Sequence, residues 1–390
     1  MMKNEVTKKV FFVLEVAFLY GLLANIGHPV TPAYIAQLGF NDNSFGYLFA
    51  AMNLGILLTA PLWGAFGDSK NRKKMVCIGL IIYAIGQIFF GFFNNLPAIL
   101  VARVLSGIGN GAIAVNMLSY INTSSILKDR RKEVTSSYIV FNVLGASAGS
   151  FLGGLIGESF IGSYEVVFYI QGLLLISYGI ILFFIHNTND EVKGSIRSKN
   201  PFSSLKDIKK INSWYLIFLF ILFMIGMSFT NISKYLDVYF NGLGYSTLFI
   251  GLFNLIVGVV TLITSLFILP RLRKYNNYNL SILISCMCAI SVFLSFNTNT
   301  VGIFTFYFIY IIGKTLLEPL TVTTLADNEK VSTGILMGVR QSFISLGGII
   351  GTIVAGYIYS YNNILLFNIC SIIFLISALT LLLIKNMKGR

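Results

Sequence analysis

Charge is what this sequence has least of. Of its 390 residues only 11% are Asp, Glu, Lys or Arg, where a soluble domain carries roughly 25%. That is too little polar material to clothe an aqueous surface. The four cysteines, Cys77, Cys286, Cys288 and Cys370, all fall inside apolar runs, and none has zinc-ligand spacing. Cys286 and Cys288 point to different faces of a helix, and all four read as small packing residues. No metal and no cofactor is expected. No G-x-x-x-x-G-K-[ST] stretch occurs, which excludes an ATP-driven pump. Without a nucleophile elbow, a zinc triad or an extended soluble domain, an enzyme is not expected either. The first apolar run is too long for a signal peptide and has no small-residue cleavage site.

What is present is hydrophobic. Apolar residues make up 56% of the chain and come in runs of about 20, the length that crosses roughly 30 Å of hydrocarbon. Backbone in lipid must be satisfied by helices or closed barrels, and runs this long mean helices. Twelve spans are predicted, at 10–32, 44–65, 75–93, 97–121, 134–157, 164–186, 213–235, 246–269, 278–296, 300–323, 332–358 and 362–384. The even number places both termini on one side. A formal charge of +13 would suggest nucleic acid in a soluble protein. Here the basic residues fill alternate short connections: Lys3, Lys8 and Lys9, then Lys70 to Lys74, Lys128 to Lys132, Lys193 to Lys210, Arg271 to Lys274, and Lys385 to Arg390. The intervening loops around Asn41, Asn94, Gly157–Glu165, Asn297–Thr300 and Tyr361–Asn363 hold no Lys or Arg. That asymmetry predicts cytoplasmic termini, a multi-pass protein of the cell membrane, and no nucleic-acid partner.

The chain also repeats itself. Leu38-Gly39-Phe40-Asn41 followed by Phe45-Gly46-Tyr47-Leu48 matches Leu243-Gly244-Tyr245-Ser246 followed by Ile250-Gly251-Leu252-Phe253, with the same internal spacing. Gly145, Gly149, Gly153 and Gly154 match Gly347, Gly351, Ala355 and Gly356. The polar stretch 187–212 then reads as a cytoplasmic linker between six-helix bundles 1–186 and 213–390. Duplicated halves of this kind place a binding site near the midplane between them.

Three stretches carry motifs. Gly64-Ala65-Phe66-Gly67-Asp68-Ser69-Lys70-Asn71-Arg72-Lys73-Lys74 is a charged island between two apolar runs. It resembles the loop 2–3 signature of the major facilitator superfamily of secondary transporters, G-x-x-x-D-x-x-G-R-K/R. The resemblance implies a conformational switch in which Gly64 and Gly67 let helix ends approach. In it Asp68 faces a helix N-terminus, with Arg72 and Lys73 beside it. Asn71 stands where the family has Gly; Asn tolerates the left-handed conformation, so the turn is expected to persist. The fourth span begins with Arg103-Val104-Leu105-Ser106-Gly107 and resembles the family's R-x-x-x-G-x-x-x-A element, implying a part in proton coupling or substrate contact. A snorkelling interfacial arginine is the plainer alternative. Gly145-Ala146-Ser147-Ala148-Gly149-Ser150-Phe151-Leu152-Gly153-Gly154 in span 5 is similar to the G-x-x-x-G-P-x-x-G-G element of the drug/proton antiporters, with Ser150 in place of Pro. Glycines at this spacing permit close helix contact whatever that contact serves.

Ionisable residues inside spans are functional candidates. Glu15 lies in span 1, Lys234 and Asp237 near the outer end of span 7, Lys314 and Glu318 at i and i+4 in span 10, and Arg340 in the cytoplasmic third of span 11. Lys314 and Glu318 can pair as a neutral structural unit, and headgroups can hold Lys234 and Asp237. In the family that the chain resembles, spans 1, 4, 7 and 10 line the central cavity. Glu15, Glu318 and Arg103 are therefore the proton-coupling candidates. Asn25, His28, Asn110, Asn142, Asn231, Lys234 and Lys314 join them as substrate-cavity candidates. Arg340 goes with the switch residues. The expected fold is all-α, with twelve transmembrane helices in two pseudo-symmetric bundles. The expected function is a monomeric bacterial antiporter that exports small amphiphilic molecules against protons by alternating access. The alternative is an exporter or symporter of an anionic or zwitterionic metabolite, such as a siderophore or other metallophore, a sugar derivative or a peptide.

Overall fold

The computed structural model describes residues 2–41, 43–69, 71–124, 126–185, 213–272, 277–326 and 333–388. The linker expected at 187–212 lies outside the described residues. Those described are helical, with short turns between: α1 (Met2–Asn25), α2 (Thr31–Gln37), α3 (Asn43–Ser69), α4 (Arg72–Phe92), α5 (Leu96–Thr123), α6 (Arg131–Ser159), α7 (Glu165–Ile185), α8 (Ser213–Gly242), α9 (Thr247–Ile263), α10 (Asn277–Asn297), α11 (Thr300–Ala326), α12 (Thr333–Tyr361) and α13 (Asn363–Lys388). A wide π turn at Thr264–Ile268 and a final turn at Leu269–Leu272 extend α9. Pro270 explains the widening: it has no N–H to give, and its ring crowds the carbonyl of Leu266.

Eleven described helices are long and apolar enough to cross a membrane. The first helix is not among them, because every 18-residue stretch of α1 takes in Lys8, Lys9 and Glu15. The first span also ends sooner than 10–32. Pro29 cannot donate to the carbonyl of Asn25, and α1 stops at Asn25. The chain turns through His28, whose N–H reaches Asn25 O at 3.1 Å, and restarts as α2 with Thr31 donating its hydroxyl to Gly27 O at 2.7 Å.

The described chain forms two compact units that do not follow chain order. One comprises the described residues within 1–40, 51–199 and 240–258; the other comprises those within 41–50, 200–239 and 259–390.

In the first unit α1 and α6 pack along bare backbone. A Cβ added at Gly145, Gly149 or Gly153 would strike the carbonyl oxygen of Phe18, Leu22 or Ile26 respectively. Both helices thus advance four residues per contact, the close approach that small residues allow. The other face of α6 meets the start of α9, where Thr247 donates its hydroxyl to Gly154 O at 3.2 Å. In the second unit α12 repeats the device against α8, with Gly347 on the Phe223 carbonyl and Gly351 on Met227.

The other repeated stretch has the same physical basis. Gly39 and Gly244 both take left-handed backbone, at φ 72° and 82°. The following residue's N–H closes back on the helix each time, Phe40 to Ile35 O at 3.3 Å and Tyr245 to Phe240 O at 3.0 Å. These are matching Schellman turns, and each needs a residue without a Cβ penalty at positive φ.

Candidate functional site

In the second unit, α8, α11 and α12 enclose a cavity of about 180 Å³. Leu222, Ile225, Gly226, Phe229 and Thr230 line it from α8, Lys314, Leu317 and Glu318 from α11, and Ile344 from α12. The wall is apolar apart from one hydroxyl, one ammonium and one carboxylate. Lys314 and Glu318 stand one turn apart on the same side of α11. The Lys314 ammonium donates to Ser233 Oγ at 2.8 Å and lies 5.7 Å from the Phe229 ring centre. Pro319 follows Glu318 inside the helix and removes one rung of backbone bonding beside the cavity. The arrangement is an apolar pocket whose wall carries both signs of charge.

The remaining candidates fall elsewhere. Glu15 is half-buried in α1, within electrostatic reach of Tyr178 on α7. Arg103 is 8% exposed, with its guanidinium 3.5 Å above the Phe90 ring and Tyr34 and Tyr83 within electrostatic reach. It is held by α2 and α4 inside the first unit, so the snorkelling alternative does not describe it. Asn110 accepts from the Tyr20 hydroxyl at 2.5 Å, and Asn142 donates to Ala17 O at 3.2 Å. Asn25 donates to Gly21 O of its own helix at 2.8 Å. These three asparagines satisfy the backbone and side chains of the α1 neighbourhood. His28 sits half-buried in the turn between α1 and α2. Asn231 is 3% exposed, and its Oδ1 finds no hydrogen-bond partner among the described residues. The Lys234 ammonium lies 5.0 Å from the Phe49 ring centre.

Among the switch residues, Gly64, Gly67 and Asp68 fall in the last turns of α3, and Arg340 falls in α12. Their side-chain surroundings lie outside the described residues. The glycines of α6 form the seam described above. Asn71 corrects an expectation. Its backbone is extended, at φ −69° and ψ 117°, and its Oδ1 accepts the Lys73 N–H at 2.9 Å. Asn is retained here as the N-cap of α4, not as a stand-in for a left-handed glycine. Arg72 opens α4. Lys73 folds inward, 7% exposed, with its ammonium 4.7 Å from the Phe12 ring centre and 5.5 Å from that of Tyr120.

Sequence reasoning passed over Thr230 and Ser233, hydroxyls with no charge to mark them. It also left Asp237 among groups that headgroups could hold. The structure buries Asp237 to 4% exposure. The available signal was its spacing: Thr230, Ser233, Lys234 and Asp237 recur at helical period on one side of α8.

The sequence model of the Major Facilitator Superfamily matches residues 14–333. The chain is similar to the quinolone resistance protein NorA of Staphylococcus aureus (strain COL), at 22% identity over 362 residues and 91% of each chain. It is similar to multidrug resistance protein 2 of Bacillus subtilis (strain 168), at 23% identity over 375 residues, 93% of this chain and 92% of the other. Its backbone resembles the crystal structure of a bacterial homologue of the human lysosomal transporter Spinster, with a TM-score of 0.76 at 14% identity, covering 99% of this chain and 98% of that one.

Proposed function

The chain belongs to the major facilitator superfamily, and from that premise we propose that it is a proton-coupled antiporter exporting small amphiphilic molecules. Secondary transport by a multi-pass membrane protein is the common property of that family, and the chain is a transporter, not an enzyme. The single observation that carries the finer reading is the cavity in the second unit. Its apolar wall suits the hydrophobic part of an amphiphile. Glu318, held within electrostatic reach of Lys314, is the carboxylate that takes up a proton as cargo leaves. Glu15 is the corresponding candidate in the first unit, and Arg103 supports that unit from its aromatic setting. The resistance proteins named above favour export. The basic residues of alternate connections favour cytoplasmic termini in a bacterial cell membrane, with the monomer as the working unit.

A second reading keeps the transporter and changes the cargo to an anionic or zwitterionic metabolite. It is favoured by Lys314, a cation lining the cavity. The test is uptake of ethidium by proteoliposomes under an imposed pH gradient. Accumulation that follows the gradient supports the first reading. Indifference to the gradient overturns proton coupling, and inhibition by polycarboxylates in preference to hydrophobic cations selects the second cargo.

A further inference from the structure

Asp237 is the only carboxylate among the described residues that the fold buries beyond nine-tenths, and it is not part of the cavity. It lies in the last turns of α8, seven residues beyond the cavity residue Thr230, or about 10 Å along the helix. Thr230, Ser233, Lys234 and Asp237 fall at i, i+3, i+4 and i+7, on one side of α8. The helix beside it carries a matching row. Tyr307, Lys314 and Glu318 fall at i, i+7 and i+11, on one side of α11.

The two rows meet at three levels. Thr230 shares the cavity with Lys314 and Glu318. Ser233 Oγ accepts from the Lys314 ammonium at 2.8 Å. Asp237 is within electrostatic reach of Tyr307, itself 2% exposed. The ionisable groups near Asp237 include Lys234 on its own helix, one turn away, and Tyr307 on α11, with Phe49 of α3 under the Lys234 ammonium. Isolated ionisable groups are costly within a membrane, whereas rows of them mark ion paths.

We propose that these rows form a proton path in which Asp237 is the distal loading acid and Glu318 the acid at the cavity. The inference rests on the antiport reading above and adds to it a second acid and a route. The steps balance for one proton. The Lys314 ammonium releases a proton to the Glu318 carboxylate and becomes a neutral amine. The amine takes the Ser233 hydroxyl proton while that oxygen receives one from protonated Asp237, directly or through Lys234. Glu318 then gives its proton to the water on the far side as the transporter changes face, and the pathway returns to its starting state when Asp237 is reprotonated from the water at its end of the helix.

The test uses full-length protein in liposomes with ethidium as probe. Two readouts are taken: dye exchange without a gradient, and dye accumulation driven by a pH gradient. In the wild-type protein, gradient-driven accumulation must first be present; its absence overturns the antiport reading, and the path with it. Given that coupling, Asp237→Asn is expected to lower accumulation at least about a hundredfold and leave exchange at the wild-type level. Asp237→Glu is expected to restore accumulation, and Ser233→Ala to slow it. Wild-type accumulation in Asp237→Asn overturns the path while leaving antiport through Glu318 standing. Loss of exchange in Asp237→Asn without rescue by Asp237→Glu assigns Asp237 to holding the helix and also overturns it.

Discussion

Lys314 of α11 reaches across to Ser233 of α8 at 2.8 Å while Glu318 stands one turn further along its own helix. The lysine is therefore shared between a hydroxyl on one wall and a carboxylate on the other. A cation held this way can answer changes at either partner, which is what coupling between a proton and a cargo requires.

Glu318→Gln removes the proton acceptor and keeps the shape. Gradient-driven ethidium accumulation is expected to fall about a hundredfold or more, with exchange across the membrane retained. Parallel measurement of the two fluxes in proteoliposomes checks this.

Lys314→Met removes the ammonium and keeps the length of the side chain. Inhibition of ethidium transport by carboxylate-bearing amphiphiles is expected to weaken about tenfold, the worth of one charged hydrogen bond. Inhibition by hydrophobic cations should strengthen or hold. Competition curves for both classes of inhibitor are the check; unchanged carboxylate inhibition would remove Lys314 from cargo recognition.

Gly149→Ala places a methyl group on the Leu22 carbonyl, inside the α1–α6 seam. A stability loss of about 1–3 kcal/mol is expected from overpacking. Gly111→Ala is the control, because its nearest neighbour would be 3.5 Å away. Thermal unfolding midpoints in one detergent should separate the two variants.

Asn71→Ala removes the cap of α4 and is expected to cost about 1 kcal/mol, whereas Asn71→Gly should cost only a few tenths. The same thermal measurement decides. If Gly proved clearly more stable than Asn, a strained backbone at this position would be indicated instead of a cap.

Much of the fold could be read from the residues because lipid leaves few choices. Apolar runs of the right length become helices, and the positions of most spans follow. The repeat was also legible, since Gly39 and Gly244 answer the same need for positive φ. The end of the first span was misplaced, although Pro29 pointed to Asn25 as the last helical residue. The Asn71 turn was misread because Asn suits both a left-handed residue and an N-cap, and only the backbone angles separate them. The site was legible in part. Lys314 and Glu318 announced themselves by charge and spacing. Arg103 carried charge too, but nothing in its own helix says that Phe90 lies beneath it. Thr230 and Ser233 depend on which side of α8 faces α11, a matter of packing between distant segments.

Lys73 shows that one residue can act twice in the life of the chain. Counted in the sequence, it is one of the basic residues beside the third span, the kind of residue that biases orientation during insertion. In the finished fold it is 7% exposed, with aromatic rings at its ammonium. Any part it plays in orientation belongs to the stage when that ammonium still meets water, before α1 and α5 bring Phe12 and Tyr120 around it. Neutralising Lys73 would touch two separate events, biogenesis and the mature bundle, and only the order in which they occur distinguishes them.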